Sequence, residues 1–367
     1  MLNILTMWFI PILFAFGIII FIHELGHFLS ARAVGMKVEK FAFGFGPEII
    51  GRTVGETRYA ICWVPLGGMV KLAGEMESES SGGPGDFFSK PWYQRVFVVA
   101  AGPLMNYLLA IVFFFAAIFF WGVGVPSEKA IVGEVKNGFP ADRAGLRKGD
   151  LILAINKKPV KLWQDLAEII HSQPGKKITI KINRDNEISD IQVIPEIDVN
   201  SKVGVIGIMP EVKIEKKGFV QSVKGSVIIP VNISILTLAT IWEKIVKLEK
   251  LEVSGPIGIA VVVNQAARSG FESLLYIIGF ISVMVGLMNL LPIPVFDGGH
   301  IMFFTIEGLI TKKRMSIRII ELTNYIGLSV ILSLMFYAFY SDFIRFDIIN
   351  RTMELVINIF YRIKNVL

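Results

Sequence analysis

Residues 4–27 read ILTMWFIPILFAFGIIIFIHELGH. From 4 to 22 the stretch is almost wholly apolar, about the 20 residues a helix needs to cross a hydrocarbon core. It runs without a break into His23-Glu24-Leu25-Gly26-His27. A cleaved leader is the competing reading, because Ala31-Arg32-Ala33 mimics a cleavage site. No Lys or Arg precedes the run, however, to form the basic region a leader needs. Residues four apart share a helix face, so His23 and His27 can turn ring nitrogens toward one cation. Glu24 stands beside them, placed to take a proton from water made acidic by zinc. A charged residue inside a span costs about 2.5–3.5 kcal/mol on insertion scales, so a Glu between two His at the inner end of a span calls for compensation. A divalent metal supplies it; interfacial histidines bonded to carbonyls, with Glu24 in headgroup water, are the plainer alternative.

The rest of the chain fits a membrane protein. Of its 367 residues 53% are hydrophobic, against about 45–50% for soluble proteins even with glycine counted. The net charge of +6 has no basic stripe with interleaved aromatics, and nucleic acid is not an expected partner. Cys62 is the only cysteine, which excludes an intrachain disulfide and a cysteine-rich zinc site. Any metal must be held by His and carboxylates.

Three more apolar runs, 96–123, 274–291 and 326–340, bring the expected spans to four. Arg32, Lys37, Lys40, Arg52, Arg58, Lys71, Lys90 and Arg95 separate the first two spans, which puts that stretch in the cytoplasm and the N-terminus outside. Lys312, Lys313, Arg314 and Arg318 place the loop before the last span inside as well, and 126–251 outside. The tail, with Arg345, Arg351, Arg362 and Lys364, then falls outside, against the charge rule. Segment 219–242 is apolar enough to pass for a span, but Lys224, Pro230 and Asn232 interrupt it. Ser234, Thr237, Thr240 and Lys244 also recur at helical spacing, so a surface-lying amphipathic helix is expected.

A catalytic zinc usually takes three protein ligands. Asp297, His300, Glu307 and His171 are the candidates for the third, and His171 lies in the external section. Asp297 follows the third span in a stretch where Pro292, Pro294, Gly298 and Gly299 stop a regular helix. With four spans, the first and third run the same way and bring His23 and Asp297 to one face. Counting 219–242 as a crossing would leave them about 30 Å apart. His300 stays open as an alternative ligand.

Within the external section, 131–135, 151–155, 178–182 and 191–194 read as strands and 162–171 as a helix. Gly138-Phe139-Pro140-Ala141, Ala144-Gly145-Leu146 and Lys148-Gly149-Asp150 resemble the PDZ domains of bacterial proteases, which implies a peptide ligand. Gly204-Val205-Ile206-Gly207-Ile208 is a candidate part of its groove. Nearer the N-terminus, 58–71 reads as two short strands around a Gly-containing turn, a hairpin dipping into the membrane whose edge could hold an unwound substrate.

His23-Glu24-Leu25-Gly26-His27, Gly44-Phe45-Gly46-Pro47, Ala101-Gly102-Pro103 with Asn106, Ser254-Gly255-Pro256-Ile257-Gly258-Ile259 and Asn289 through Gly299 occur in this order. Together they resemble the site-2 protease family of intramembrane zinc metalloproteases, in its RseP-like branch with one PDZ domain, over nearly the whole chain. The resemblance implies Zn2+ on His23, His27 and Asp297, Glu24 as general base, and Asn289 near the scissile peptide. Phe296 stands where the family usually has Leu before Asp-Gly. Gly67, Gly68 and Met69 are the expected substrate-binding residues of the hairpin, while Asn106 is expected to make a helix-to-helix hydrogen bond.

The expected architecture is a polytopic α-helical membrane protein of four spans with an inserted α/β PDZ-like domain. Its sections are a membrane core 1–125 including the hairpin, an external domain 126–212, an amphipathic connector 213–272 and a second membrane core 273–367. The expected activity is cleavage of single-span membrane proteins within or at the edge of the bilayer of a bacterial inner membrane, in regulated intramembrane proteolysis. An anti-sigma factor or a remnant signal peptide would be the substrate. The alternative is a non-enzymatic PDZ-bearing scaffold or secretion component; a transporter would need more polar residues along its spans.

Overall fold

A computed structural model describes residues 2–75, 82–198, 202–249, 255–312 and 317–345. The acidic stretch at 76–81, Ser254, the basic Lys313 and Arg314, and the tail from 346 on lie outside the described residues. The chain forms two compact units, one of Met1–Ala117 with Phe219–Leu367, the other of Ile118–Gly218.

The first unit is helical. It contains α1 (Leu2–Ala33), α2 (Trp92–Trp121), α5 (Phe219–Lys247), α6 (Pro256–Ser269), α7 (Phe271–Leu290), α8 (Asp297–Ile306) and α9 (Ile317–Arg345), with a π-helical turn at Glu307–Thr311. Helices α1 and α2 approach backbone to backbone: a Cβ on Gly26 would sit 2.4 Å from the Ala101 carbonyl oxygen. Helix α7 runs antiparallel to α2, since Gly279 faces Phe114 and Gly286 faces Pro103 and Tyr107. Ala15, Ile19, Leu109, Val263 and Ile278 close the core where α1, α2, α6 and α7 meet. Between helices apolar enough to lie in lipid, close packing of such side chains, and not their removal from water, holds the contact.

Among the described residues five helices are long and apolar enough to cross a membrane, the additional one being Phe219–Lys247. The expectation that its polar stripe faces water is corrected. Ser222 and Ser226 are buried, Ser234 shares a 2.8 Å hydrogen bond with Tyr107, and Thr237 donates to Met284 Sδ. Val220, Ile235, Leu236 and Trp242 are the exposed side. Of the stripe, Ser234 and Thr237 are satisfied by α2 and α7 while Thr240 stays exposed, and the largely apolar outward side is one suited to lipid. Between its contacts with Phe115 and Tyr107, α5 advances about 22 Å against about 12 Å along α2 at 1.5 Å per residue, so it lies obliquely. Phe219 meets Phe115 and Tyr276 meets Phe114, so the chain leaves and rejoins the same end of α2. The direction of α7 is therefore preserved whatever depth α5 reaches.

Strands β1 (Val38–Val54) and β2 (Thr57–Leu72) also belong to this unit. The reversal expected within 58–71 is present, between Ile61 and Gly68, but the two arms do not pair with each other: 58–61 runs beside 40–43 in one direction and 68–72 returns along 38–43 in the other. Instead β1 folds back on itself where Gly44 and Gly46 take positive φ, a conformation glycine adopts without penalty. Residues 38–43 then lie between two parts of β2, with Phe43 opposite both Gly68 and Ile61, while 48–54 pairs with 57–62. The tight turn is at Gly55, between Val54 and Thr57. Arg58 and Lys40 clasp Glu48 and hold its carboxyl down to about 2. Because that pKa is depressed, the clasp is lost only as pH falls through about 2, and it adds no pH dependence above the ordinary carboxylate range.

The second unit holds β3 (Val123–Pro126), β4 (Val132–Val135), α3 (Pro140–Arg143), β5 (Leu151–Ile155), β6 (Lys158–Pro159), α4 (Trp163–His171), β7 (Ile178–Arg184), β8 (Glu187–Val193), β9 (Glu196–Ile197), β10 (Gly204–Val205), β11 (Ile208–Pro210) and β12 (Val212–Glu215). The main sheet has the order β6-β5-β7-β8, and β11 pairs with β4. The entry strand β3 pairs with the exit strand β12, which ties the two ends of the module together. Ile178, Ile180 and Ile182 alternate inward from β7 onto Leu166 and Ile170 of α4. Arg184 makes two hydrogen bonds of 2.7 and 2.8 Å to buried Asp150, fixing the loop that begins the core strand β5.

Candidate metal centre

Asp297 follows α7 by a turn that Pro292 and Pro294 keep out of helical register and opens α8. The glycines after it allow the turn to close tightly: a Cβ on Gly298 would meet the Leu291 carbonyl oxygen at 2.1 Å. The result brings Asp297 to His23 and His27. Asp297 Oδ2 lies 3.2 Å from His23 Nε2 and 3.6 Å from His27 Nε2, and the two Nε2 atoms are 3.2 Å apart. Among the described residues this is the one group of His, Cys, Asp and Glu side chains that converges enough to hold a metal.

The triangle fits a metal better than a hydrogen-bond network. Asp297 Oδ2 is buried without a properly oriented donor, despite its closeness to both imidazoles. Ligand bonds of about 2.0–2.2 Å in a tetrahedron imply edges of about 3.3–3.6 Å between donor atoms, close to the three distances here. His27 turns Nδ1 to the Val98 carbonyl at 2.9 Å, which assigns its proton to that nitrogen and leaves Nε2 a lone pair. Pro103, with no N–H to offer Val99, sits in the neighbouring turn of α2.

Glu24, the residue after His23 on α1, has its carboxyl near both imidazoles, Asp297 and the Val70 backbone. Gly68 sits directly against it: a Cβ there would be 2.7 Å from Glu24 Cγ. The segment 68–72 is thus the outer part of the sheet and passes the site, and no second strand pairs with it among the described residues. Gly67 packs instead on the Phe45 ring, and Met69 is 40% exposed, so of the three expected hairpin residues only Gly68 touches the centre. Asn289 returns its amide N–H to the Val285 carbonyl at 3.0 Å. His300 bonds Phe296 and Glu307 bonds Arg95, so neither joins the trio.

Gly102, of the Ala101-Gly102-Pro103 motif, makes room for both histidine rings. A Cβ there would stand 2.3 Å from His27 Nε2 and 2.9 Å from His23 Cε1. Only the register of α1 on α2 reveals this, and no local signal carries it.

The family model of Peptidase family M50 matches residues 11–334. This chain belongs to peptidase family M50, the site-2 protease family. Three relatives, each named "Putative zinc metalloprotease", agree with that membership. The protein of Clostridium acetobutylicum is 35% identical over 88% of this chain and 93% of its own. That of Rickettsia conorii is 37% identical over 81% and 87%; that of Clostridium perfringens is 33% identical over 92% and 99%. As an M50 member with several apolar helices, the chain is a multi-pass membrane metalloendopeptidase. The PDZ domains of the SdrC-like proteins of Listeria monocytogenes and Listeria innocua are similar over 23% and 24% of this chain and 90% and 99% of theirs. Their identities are 27% and 28% and their TM-scores 0.20 and 0.21, too slight a likeness to bear on the fold of the second unit.

That second unit has a cavity of about 380 Å³ between α4 and residues 205–209, lined by Lys136, Phe139, Trp163, Leu166, His171 and Ile206. The stretch from Val205 to Ile208 forms part of its wall, and its Ile206 and Gly207 carbonyls accept from the Ala141 and Lys136 N–H groups.

Proposed function

We propose that this M50 peptidase cuts single-span membrane proteins at the cytoplasmic edge of the bilayer, with zinc held by His23, His27 and Asp297. The observation that carries the reading is the approach of Asp297 Oδ2 to both Nε2 atoms across the whole length of the fold. Two imidazoles and a carboxylate are a donor set suited to zinc, the metal in the relatives' names. Zinc bound there supplies a Lewis acid that polarises the scissile carbonyl and makes water acidic near neutral pH.

The chain's own groups supply the rest. Glu24 takes the proton of the attacking water and hands it to the leaving amine. The Val98 carbonyl keeps the His27 ring oriented. The exposed edge of 68–72 pairs with an unwound substrate segment, and Gly68, having no side chain, lets that strand run close to Glu24. Asn289, which opens the turn leading to Asp297, is assigned to the scissile peptide by the resemblance; its amide oxygen is the group available to it.

The topology we favour has four crossings, α1, α2, α7 and α9, in a bacterial inner membrane, with the N-terminus and the second unit periplasmic. Helix α5 dips obliquely into the lipid and the chain returns through α6. The second unit is then a PDZ-like domain whose cavity takes an apolar peptide end, or which excludes bulky proteins, so that substrates arrive already trimmed. Such a sequence is regulated intramembrane proteolysis, with an anti-sigma factor or a remnant signal peptide as substrate. Glu24→Gln tests the chemistry: the protein should keep zinc and lose cleavage of a single-span reporter by at least a hundredfold, about 2.7 kcal/mol in the barrier. Undiminished cleavage would end the reading.

A further inference from the structure

Asn106, expected from the sequence to bond between helices, is fully buried in α2. Its amide faces the outer nitrogen of a metal-site imidazole: Asn106 Nδ2 lies 3.2 Å from His23 Nδ1. The other end of the amide, Oδ1, is buried with no hydrogen-bond partner. An amide nitrogen directed at Nδ1 would make Nδ1 the acceptor and put the ring proton on Nε2. Yet Nε2 is the atom that points at Asp297 Oδ2 and His27 Nε2. A protonated Nε2 has no lone pair for a metal, so this orientation conflicts with the site it borders.

Exchanging the two ends of the amide, which have nearly the same shape, removes the conflict. The oxygen then accepts a hydrogen bond from the His23 Nδ1–H, the amide nitrogen takes the position in which the oxygen met no donor, and Nε2 is free. His23 thereby matches His27, whose Nδ1 meets the Val98 carbonyl at 2.9 Å on the same helix, α2. The Asn106 backbone is held in turn: its carbonyl accepts the Ser282 hydroxyl of α7 at 2.8 Å, in a spot where Ser282 is fully buried. One residue of α2 is therefore braced by α7, which leads into the turn before Asp297, and touches α1, which carries both histidines.

We propose that Asn106 is a positioning residue, whose side-chain oxygen accepts the His23 Nδ1 proton and so fixes the imidazole as a ligand with Nε2 free before any metal arrives. The proposal rests on His23 being a zinc ligand. It assigns Asn106 a role beyond packing, and it makes the oxygen, not the nitrogen, the group that matters.

The test begins with the unaltered full-length protein in detergent or lipid. It has four histidines, few enough for their ring nitrogens to be resolved by solid-state nitrogen NMR after histidine labelling. In metal-free protein, His23, assigned by its loss in His23→Gln, should carry its proton on Nδ1. A proton on Nε2 would overturn the proposal. Zinc affinity by chelator competition gives the second arm. Asn106→Leu should weaken zinc about 10–100-fold, the usual effect of losing a partner behind a ligating histidine. Asn106→Asp, which keeps an acceptor and loses the donor, should recover most of that affinity. If the Asp variant binds zinc as weakly as the Leu variant, or the Leu variant binds as tightly as the unaltered protein, the proposal fails. If the unaltered protein binds no zinc at all, it is the ligand assignment of His23 that falls first, and the two failures are thereby told apart.

Discussion

At Gly102 the site depends on an atom that is missing. The Cβ of any other residue would stand 2.3 Å from His27 Nε2, far inside van der Waals contact, so both imidazoles would have to turn away. Alanine in a helix is normally favoured over glycine by about 1 kcal/mol. Gly102→Ala should therefore leave the helical content and thermal stability unchanged or slightly raised, while lowering zinc affinity at least tenfold. Unchanged zinc binding, measured by chelator competition, would show that the rings have more room than the geometry allows. The two histidines and Glu24 could be read from the chain because helical spacing alone puts positions 23 and 27 on one face. Gly102 and Gly68 could not, because their contacts are set by the register of α2 and of the sheet on α1.

Among the elements, α8 matters most after α1, since it begins with Asp297. Its far end is fastened by Arg95 of α2, which places Nη2 2.5 Å from Glu307 Oε1 and its guanidinium 4.6 Å above the Phe304 ring. Both partners are largely buried, Arg95 at 3% and Glu307 at 12% side-chain exposure. Removing one partner of such a pair leaves a charge without compensation and typically costs about 3–5 kcal/mol. Arg95→Ala should show that loss as a lower thermal midpoint, whereas Arg95→Met combined with Glu307→Leu should recover most of it. Equal destabilisation by both would mean the charge pair itself is not what matters. Two elements were misjudged from sequence for physical reasons. The polar stripe of α5 was assigned to water, when Tyr107 and Met284 satisfy its Ser234 and Thr237. The arms 58–61 and 68–72 are separated by 38–43 and do not pair with each other; a strand inserted between them leaves no mark in the local alternation.

For the whole molecule the decisive property is direction. Helices α1 and α7 both run opposite to α2, and the excursion through α5 and α6 returns to the end of α2 that it left. Cys62 is the single native thiol and is buried, so a Cys62→Ala background allows side-specific labelling. Cysteines introduced at Gly218 and Gly270 should react from one side of sealed vesicles and a cysteine at Lys312 from the other. Labelling of all three from the same side would refute the proposed topology. The parity argument in the sequence reached the right meeting of Asp297 with His23 even though it took α5 for a water-facing surface helix, because only the net crossing enters it.

The account stands on one shared cation, and counting it is the most direct test. Purified protein, stripped and reloaded, should hold one zinc per chain by elemental analysis. Asp297→Ala, far along the chain from His23 and His27, should lose that zinc while its helical content stays intact. Zinc retained at full stoichiometry and unchanged affinity without Asp297 would contradict the metal centre described above.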